Sequence, residues 1–203
     1  MQNLPDIDMT QPASLCLIAH ASTRAMRAGA FPADDALDAR GLADAAALRE
    51  RFAGSRDAIV LCSPARCAQQ TADALGLRAG IDDALRDVDY ANWRGKRLHD
   101  LARDIPDELG AWIDDPSASP HGGESFENVA RRVDAWLNAL PRDRDIVAIT
   151  HAAIVRAAIA HVRRIGAKAA IRIEVAPLSC SVFTASRDGW TVATDDVRRD
   201  TDA

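Results

Sequence analysis

The chain has 203 residues and 48% hydrophobic side chains, enough for a sizeable core and too many for a disordered chain. A formal net charge of −5 argues against a general nucleic-acid binder. The start MQNLPDIDMTQPAS is too polar and acidic for a signal peptide, and no apolar run reaches the ~20 residues that span a bilayer, so the expectation is a cytoplasmic protein without nucleic-acid or membrane partners.

Residues 1–13 read as a disordered arm and 195–203 as a flexible tail, with one domain over 14–194. SLCLIAH is a short apolar strand. LDARGLADAAALRERFAG has helical spacing at Leu42, Ala45, Leu48 and Phe52 and stops at Gly54. AIVLCS is a second strand. SPARCAQQTADALG then predicts a helix with Ser63 as N-cap, Pro64 at its first position and Gly76 as its stop. Residues 80–122 are irregular and rich in Pro, Gly and Trp, and read as an insertion near the active face. ESFENVARRVDAWLNAL is an amphipathic helix with Phe126, Val129, Val133, Trp136 and Leu140 on one face. DIVAIT is a third strand, HAAIVRAAIAHVRRIG a helix, and CSVFTAS with GWTVAT a hairpin around Asp188 and Gly189. Strands alternating with helices predict an α/β fold of three layers, α/β/α, with a mostly parallel central sheet.

Three of these strands end in a polar side chain able to do chemistry: LCLIAH on His20, IVLC on Ser63 and IVAIT on His151. In open α/β sheets ligands bind outside the carboxyl ends of the strands, so both histidines are expected at one mouth. The four cysteines, Cys16, Cys62, Cys67 and Cys180, form no CxxC pair, and three lie in or beside predicted strands. Buried free thiols in a reducing compartment are the expected state.

The order and spacing of these blocks resemble the histidine phosphatase superfamily, whose members include phosphoglycerate mutases and α-ribazole phosphatases. LIAHAST sits where the family has Arg-His-Gly, and DDALDARG resembles the segment leading into its first helix. SPARCAQQTADALG resembles the Ser-x-x-x-Arg-Ala-x-x-Thr block, and LRDVDYANWRGK with HGGESFENVARRVDAWL resembles the insertion and its exit. VAITHAAIVRAAIAH resembles the second histidine block. The resemblance covers about residues 14–186 and implies a phosphoglycerate mutase-like fold and phosphomonoester hydrolysis through a phosphohistidine, without cofactor or metal. It assigns His20 as nucleophile, His151 as its partner and Asp87 as the acid that protonates the leaving group, with Asp89 as the fallback. The family often has glutamate there, so Asp87 reaches ~1.5 Å less far.

Two family arginines are missing. The one before the nucleophile is Ala19 and the one on the following helix is Cys67, while two family glycines are Ala21 and Ala152. Phosphoryl transfer depends mainly on positioning and on positive charge around the equatorial oxygens, so the loss bears directly on the chemistry. Arg66, Arg24, Arg27 and Thr23 are the candidates for holding phosphate instead. Arg66 is rotated ~100° from position 67 on its helix, and Arg24 and Arg27 lie in the loop after His20. Arg156 is expected to lie along its own helix, and free N–H groups at the start of the Ser63 helix offer a further anion contact. Cys67 is expected to be a packed, unreactive thiol. A metal at His20, His151 and Cys67 is set aside because no acidic or histidine third ligand is placed.

Two functions follow. One is a working phosphatase, weakened by the missing arginines, acting on a small phosphorylated metabolite. The other is a non-catalytic member that binds a phosphorylated ligand or a protein. A mutase fares worse, since it must retain phosphate while its substrate turns over. The substrate's identity and the oligomeric state stay open, a homodimer being one option.

Overall fold

A computed structural model describes residues 12–53 and 57–194. Most of the expected arm and all of the expected tail lie outside these residues. The centre is a six-stranded sheet in the order β3-β2-β4-β1-β5-β6. Strands β1 (Ser14–Ala19), β2 (Ile59–Cys62), β3 (Gly80–Ile81) and β4 (Ile146–Thr150) run parallel, and β5 (Cys180–Ser186) and β6 (Gly189–Thr194) close one edge antiparallel. Every residue of β4 is buried, as expected of a central strand covered on both faces.

Side-chain alternation along β1 sorts the core into two layers. Leu15 and Leu17 pack with Ile146 and Ala148 under α6 (Phe126–Ala139) and α7 (Ala152–Arg163). Ile18 packs on the other face with Val147 and Ile149 against Ala68 and Ala72 of α3 (Arg66–Ala74) and Leu75 at its end, and α3 itself lies beside α2 (Ala39–Ala47). The three-layer arrangement therefore follows from period-two burial in the strands and helical stripes on either side. Among the described residues, no helix is long and apolar enough to cross a membrane.

Local expectations fail in three places. The predicted helix over Leu37–Gly54 breaks after Ala47 and continues as a short 3-10 turn, Arg49–Phe52. Helix α3 begins at Arg66 instead of Pro64, with Ala65 at its N-cap, and the Ser63 hydroxyl before it lies 2.8 Å from His151 Nε2 while accepting the Ala65 N–H. The insertion is not irregular: it adds β3 to the sheet edge and carries α4 (Leu98–Asp104) and α5 (Pro106–Asp114). Phe31, Tyr90, Trp93 and Trp112 stack with ring centroids 4.9 to 6.4 Å apart and give it a small core of its own.

The segment entering α6 leans on the insertion. Glu124 N–H donates to the Asp89 carbonyl at 2.8 Å, and a Cβ on Gly123 would lie 1.9 Å from that same oxygen. Only glycine allows this approach. Gly123→Ala is expected to force the Asp87–Asp89 loop outward and cost about 1–3 kcal/mol, as overpacking against backbone does. Chemical denaturation checks this, and an unchanged midpoint would refute it.

Candidate active site

His20 follows the last residue of β1, and His151 follows the last residue of β4, its parallel neighbour. The His20 N–H donates to the Thr150 carbonyl at 2.8 Å, which ties the two strand ends together. Their imidazole centroids are 5.0 Å apart at an interplanar angle of 68°. The loop after His20 is held from below: Ala21 N–H donates to Thr71 Oγ1 at 3.0 Å, and Thr71 donates to the Cys67 carbonyl at 2.7 Å.

Each histidine has one nitrogen committed. His20 Nδ1 lies 2.7 Å from the Ala21 carbonyl, which can only accept, so Nδ1 carries the proton and Nε2 keeps its lone pair. His151 Nε2 lies 2.8 Å from Ser63 Oγ, which also accepts the Ala65 N–H at 3.2 Å. His151 Nδ1 is buried with no hydrogen-bond partner, and the Asp87 carboxylate stands 3.4 Å from it. Burial pulls His20 below the ordinary imidazole value, with His151 adding to the shift. Burial, and then the Arg132 guanidinium, pulls His151 down to about 3. Both rings are therefore neutral near pH 7.

Asp87 moves the opposite way. Burial pushes its carboxyl up to about 6, against the pull of the Val88 N–H, His20 and Arg132. Arg132 anchors the loop that carries it, donating to the Ala84 carbonyl at 2.7 Å and the Arg86 carbonyl at 3.1 Å while pairing with Glu124 at 2.7 Å. Asp89 instead turns outward, with its carboxylate on the Ala91 N–H and Arg94, both at 2.8 Å.

The expected phosphate ligands are dispersed. Arg27 makes a bidentate pair with Asp38, 2.6 Å in each arm, so its charge is already matched. Thr23 is buried, and its hydroxyl accepts the Met26 N–H at 3.2 Å, capping α1 (Arg24–Arg27). Arg24 and Arg66 are exposed. The anion contact expected at the start of α3 is partly taken, because the Asp34 carboxylate accepts the Arg66 N–H at 2.8 Å and Ser63 accepts that of Ala65. Cys67 is buried, and burial pushes its thiol up to about 12.

Arg156 does not simply lie along its helix. Its Nε donates to the Ile173 carbonyl at 2.7 Å, and the side chain lines a cavity of about 450 Å³ with Tyr90, Trp112, Phe126, Ile171 and Arg172. Val88 and Ala153, the neighbours of Asp87 and of the first turn after His151, border the same space. Nothing in the local pattern of α7 marks Arg156 as different from an arginine on a solvated helix face. Its position one turn beyond His151 was the only available signal.

A family model for the histidine phosphatase superfamily (branch 1) matches residues 15–196. The chain belongs to the histidine phosphatase superfamily. Within that superfamily it is 30% identical over 139 residues to the glucosyl-3-phosphoglycerate phosphatase of Mycobacterium tuberculosis, 61% of this chain and 62% of that relative's length. It is 29% identical over 156 residues to the adenosylcobalamin/alpha-ribazole phosphatase of Escherichia coli, 72% of this chain and 77% of the relative. The crystal structure of the alpha-ribazole phosphatase from Shigella flexneri superposes with a TM-score of 0.79 at 25% identity, over 88% of this chain and 94% of the other. The fold is thus the phosphoglycerate mutase-like α/β/α sandwich of this superfamily.

Proposed function

We propose that the chain is a cytoplasmic phosphomonoesterase acting through a phosphohistidine on a small phosphorylated metabolite. The observation that carries this reading is one triad: His20 with Nε2 unprotonated and free, His151 facing it, and Asp87 at 3.4 Å with its carboxyl near 6. A neutral imidazole and a carboxylic acid that keeps its proton up to about pH 6, well above the ordinary carboxylate range, are the two groups phosphoryl transfer needs.

In the first step His20 Nε2 attacks phosphorus, the P–O ester bond breaks, and Asp87 gives its proton to the departing alkoxide. In the second step Asp87, now a carboxylate, takes a proton from water as that water attacks the phosphohistidine, releasing inorganic phosphate and freeing Nε2. With Ser63 donating to Nε2, His151 carries its proton on Nδ1 and presents it to a phosphoryl oxygen. Arg66 and Arg24 are the exposed cations left to approach the phosphate, and of these Arg66 sits next to the vacated clamp position. Arg27 contributes less, being paired with Asp38.

The cavity beside Asp87 supports an alcohol with an aromatic or extended apolar part, since Tyr90, Trp112, Phe126 and Ile171 form its walls, with Arg156 and Arg172 for polar groups at its edge. The named activities of the two relatives also concern small phosphorylated compounds.

A screen of phosphomonoesters across a pH series tests the reading. Aryl and nucleoside phosphates are expected to outrank glycerol phosphates. Because Asp87 must be protonated to act, kcat for alkyl esters falls as pH rises through about 6. Asp87→Asn removes that limb and slows alkyl esters far more than aryl esters, whose leaving groups need no proton. No turnover of any ester would favour the non-catalytic alternative, for which the loss of both family arginines is the supporting observation.

A further inference from the structure

The two substitutions that remove the arginine clamp also assemble a different kind of site. His20 at the end of β1, Cys67 in the first turn of α3 and His151 at the N-cap of α7 each offer one donor atom, and these atoms all lie within 4.8 Å of one another. We propose that His20, Cys67 and His151 bind a zinc ion, with the fourth position left open toward the Asp87 carboxylate.

Four features of the chain support this. The donor set is one thiolate and two imidazoles, a combination suited to Zn²⁺, whose open sites use three protein ligands and leave a fourth position for water or substrate. His20 Nδ1 donates to the Ala21 carbonyl at 2.7 Å, which fixes the ring and leaves Nε2 as the ligand. This is the outer contact that metal-bound imidazoles use for orientation. His151 is only 3% exposed, and its Nδ1 makes no hydrogen bond, with the Asp87 carboxylate 3.4 Å away. In the zinc-bound form the Ser63 contact is reversed from the phosphoryl-transfer form: Nε2–H donates to Ser63 Oγ, and Nδ1 holds the lone pair that coordinates. Finally, arginines at positions 19 and 67 would fill this space with charge that repels a cation, whereas alanine and cysteine leave it open and add a soft ligand.

A tetrahedral zinc with ~2.0 Å bonds to nitrogen and ~2.3 Å to sulfur places its donors about 3.5 Å apart. The cluster must therefore close by about 1 Å for all three donors to bind one ion. Binding releases the Cys67 thiol proton to solvent. The expectation of no metal rested on the lack of a placed acidic or histidine ligand beside His20, His151 and Cys67, and the structure puts the Asp87 carboxylate 3.4 Å from His151 Nδ1. Zinc on Nε2 excludes phosphoryl transfer to the same atom, so the metal-bound and phosphorylated forms are mutually exclusive. The proposal does not depend on the phosphatase reading, because binding is measured without substrate.

The test is titration of the full chain with Zn²⁺ against a chromophoric chelator, with Co²⁺ as a spectroscopic probe. One zinc per chain is expected, along with a sulfur-to-cobalt charge-transfer band. Cys67→Ala should abolish the band and weaken zinc by at least ~10²-fold, the upper end of what loss of an outer-shell partner costs. His20→Ala should weaken zinc comparably. Cys16→Ser with Cys180→Ser, a neighbouring pair on β1 and β5, should leave band and stoichiometry intact. Cys67→Ser, close in volume to the native residue, repeats the measurement if Cys67→Ala does not fold. Absence of stoichiometric zinc in the native chain, or a band that survives both Cys67 substitutions, would overturn the proposal.

Discussion

His20→Ala is expected to reduce phosphomonoester turnover by at least ~10³-fold, because removal of a covalent nucleophile eliminates the two-step route and leaves only binding and residual electrostatics. The side chain is half-buried at a strand end, and its ring makes one hydrogen bond, to its neighbour's carbonyl, so the fold should tolerate the change. The direct check is trapping of the intermediate. Acid quench loses a phosphohistidine while alkaline quench retains it, so the native chain should show base-stable, acid-labile label and His20→Ala none. Turnover that persists undiminished in His20→Ala would move the nucleophile elsewhere. The non-catalytic alternative predicts no label in either chain.

Restoring both missing charges, Ala19→Arg with Cys67→Arg, is expected to raise activity by about 10²-fold if the clamp is simply absent, since one lost donor to a developing oxyanion typically costs ~10²–10³. The two positions differ in difficulty. Cys67 lies on the first turn of α3 facing the site, whereas Ala19 is 3% exposed and its backbone is held by Ser179 and Leu178. A folded, monodisperse double variant is the required control. If Arg66 already holds the phosphate, the new arginines crowd it and activity stays level or falls, while Arg66→Ala lowers it in the native chain. No change on Arg66→Ala in an active enzyme would remove Arg66 from the site. The same double variant should lose zinc, because it deletes the sulfur ligand, so the two properties separate in one protein.

The placement of His20, Ser63 and His151 at one mouth was legible because it rests on local pattern. Apolar runs of strand length, each broken at its end by a polar residue, recur before helical spacing, and the parallel α/β rule puts those ends together. Asp87 was legible only through the family's order of blocks, since LRDVDY by itself reads as a solvated loop. Its raised carboxyl comes from burial in the packed site, against the pull of the Val88 N–H, His20 and Arg132.

The chain by itself determined the layers, the strand ends and the absence of two arginines, all of which depend on residue type and short-range period. Tertiary structure alone decided how the remaining polar groups are shared out. Ser63 stands before its helix with its hydroxyl 2.8 Å from His151 Nε2, and Arg27 is paired with Asp38 from the next loop. Arg156 turned into a cavity walled by the insertion's aromatics, and Cys67 met two histidines from distant segments. The physical reason is common to all four. A hydrogen bond, ion pair or metal ligand set is settled by which partners lie within about 3 Å once the core has packed, and that proximity is a property of the packed chain, with no signature in the sequence around either partner.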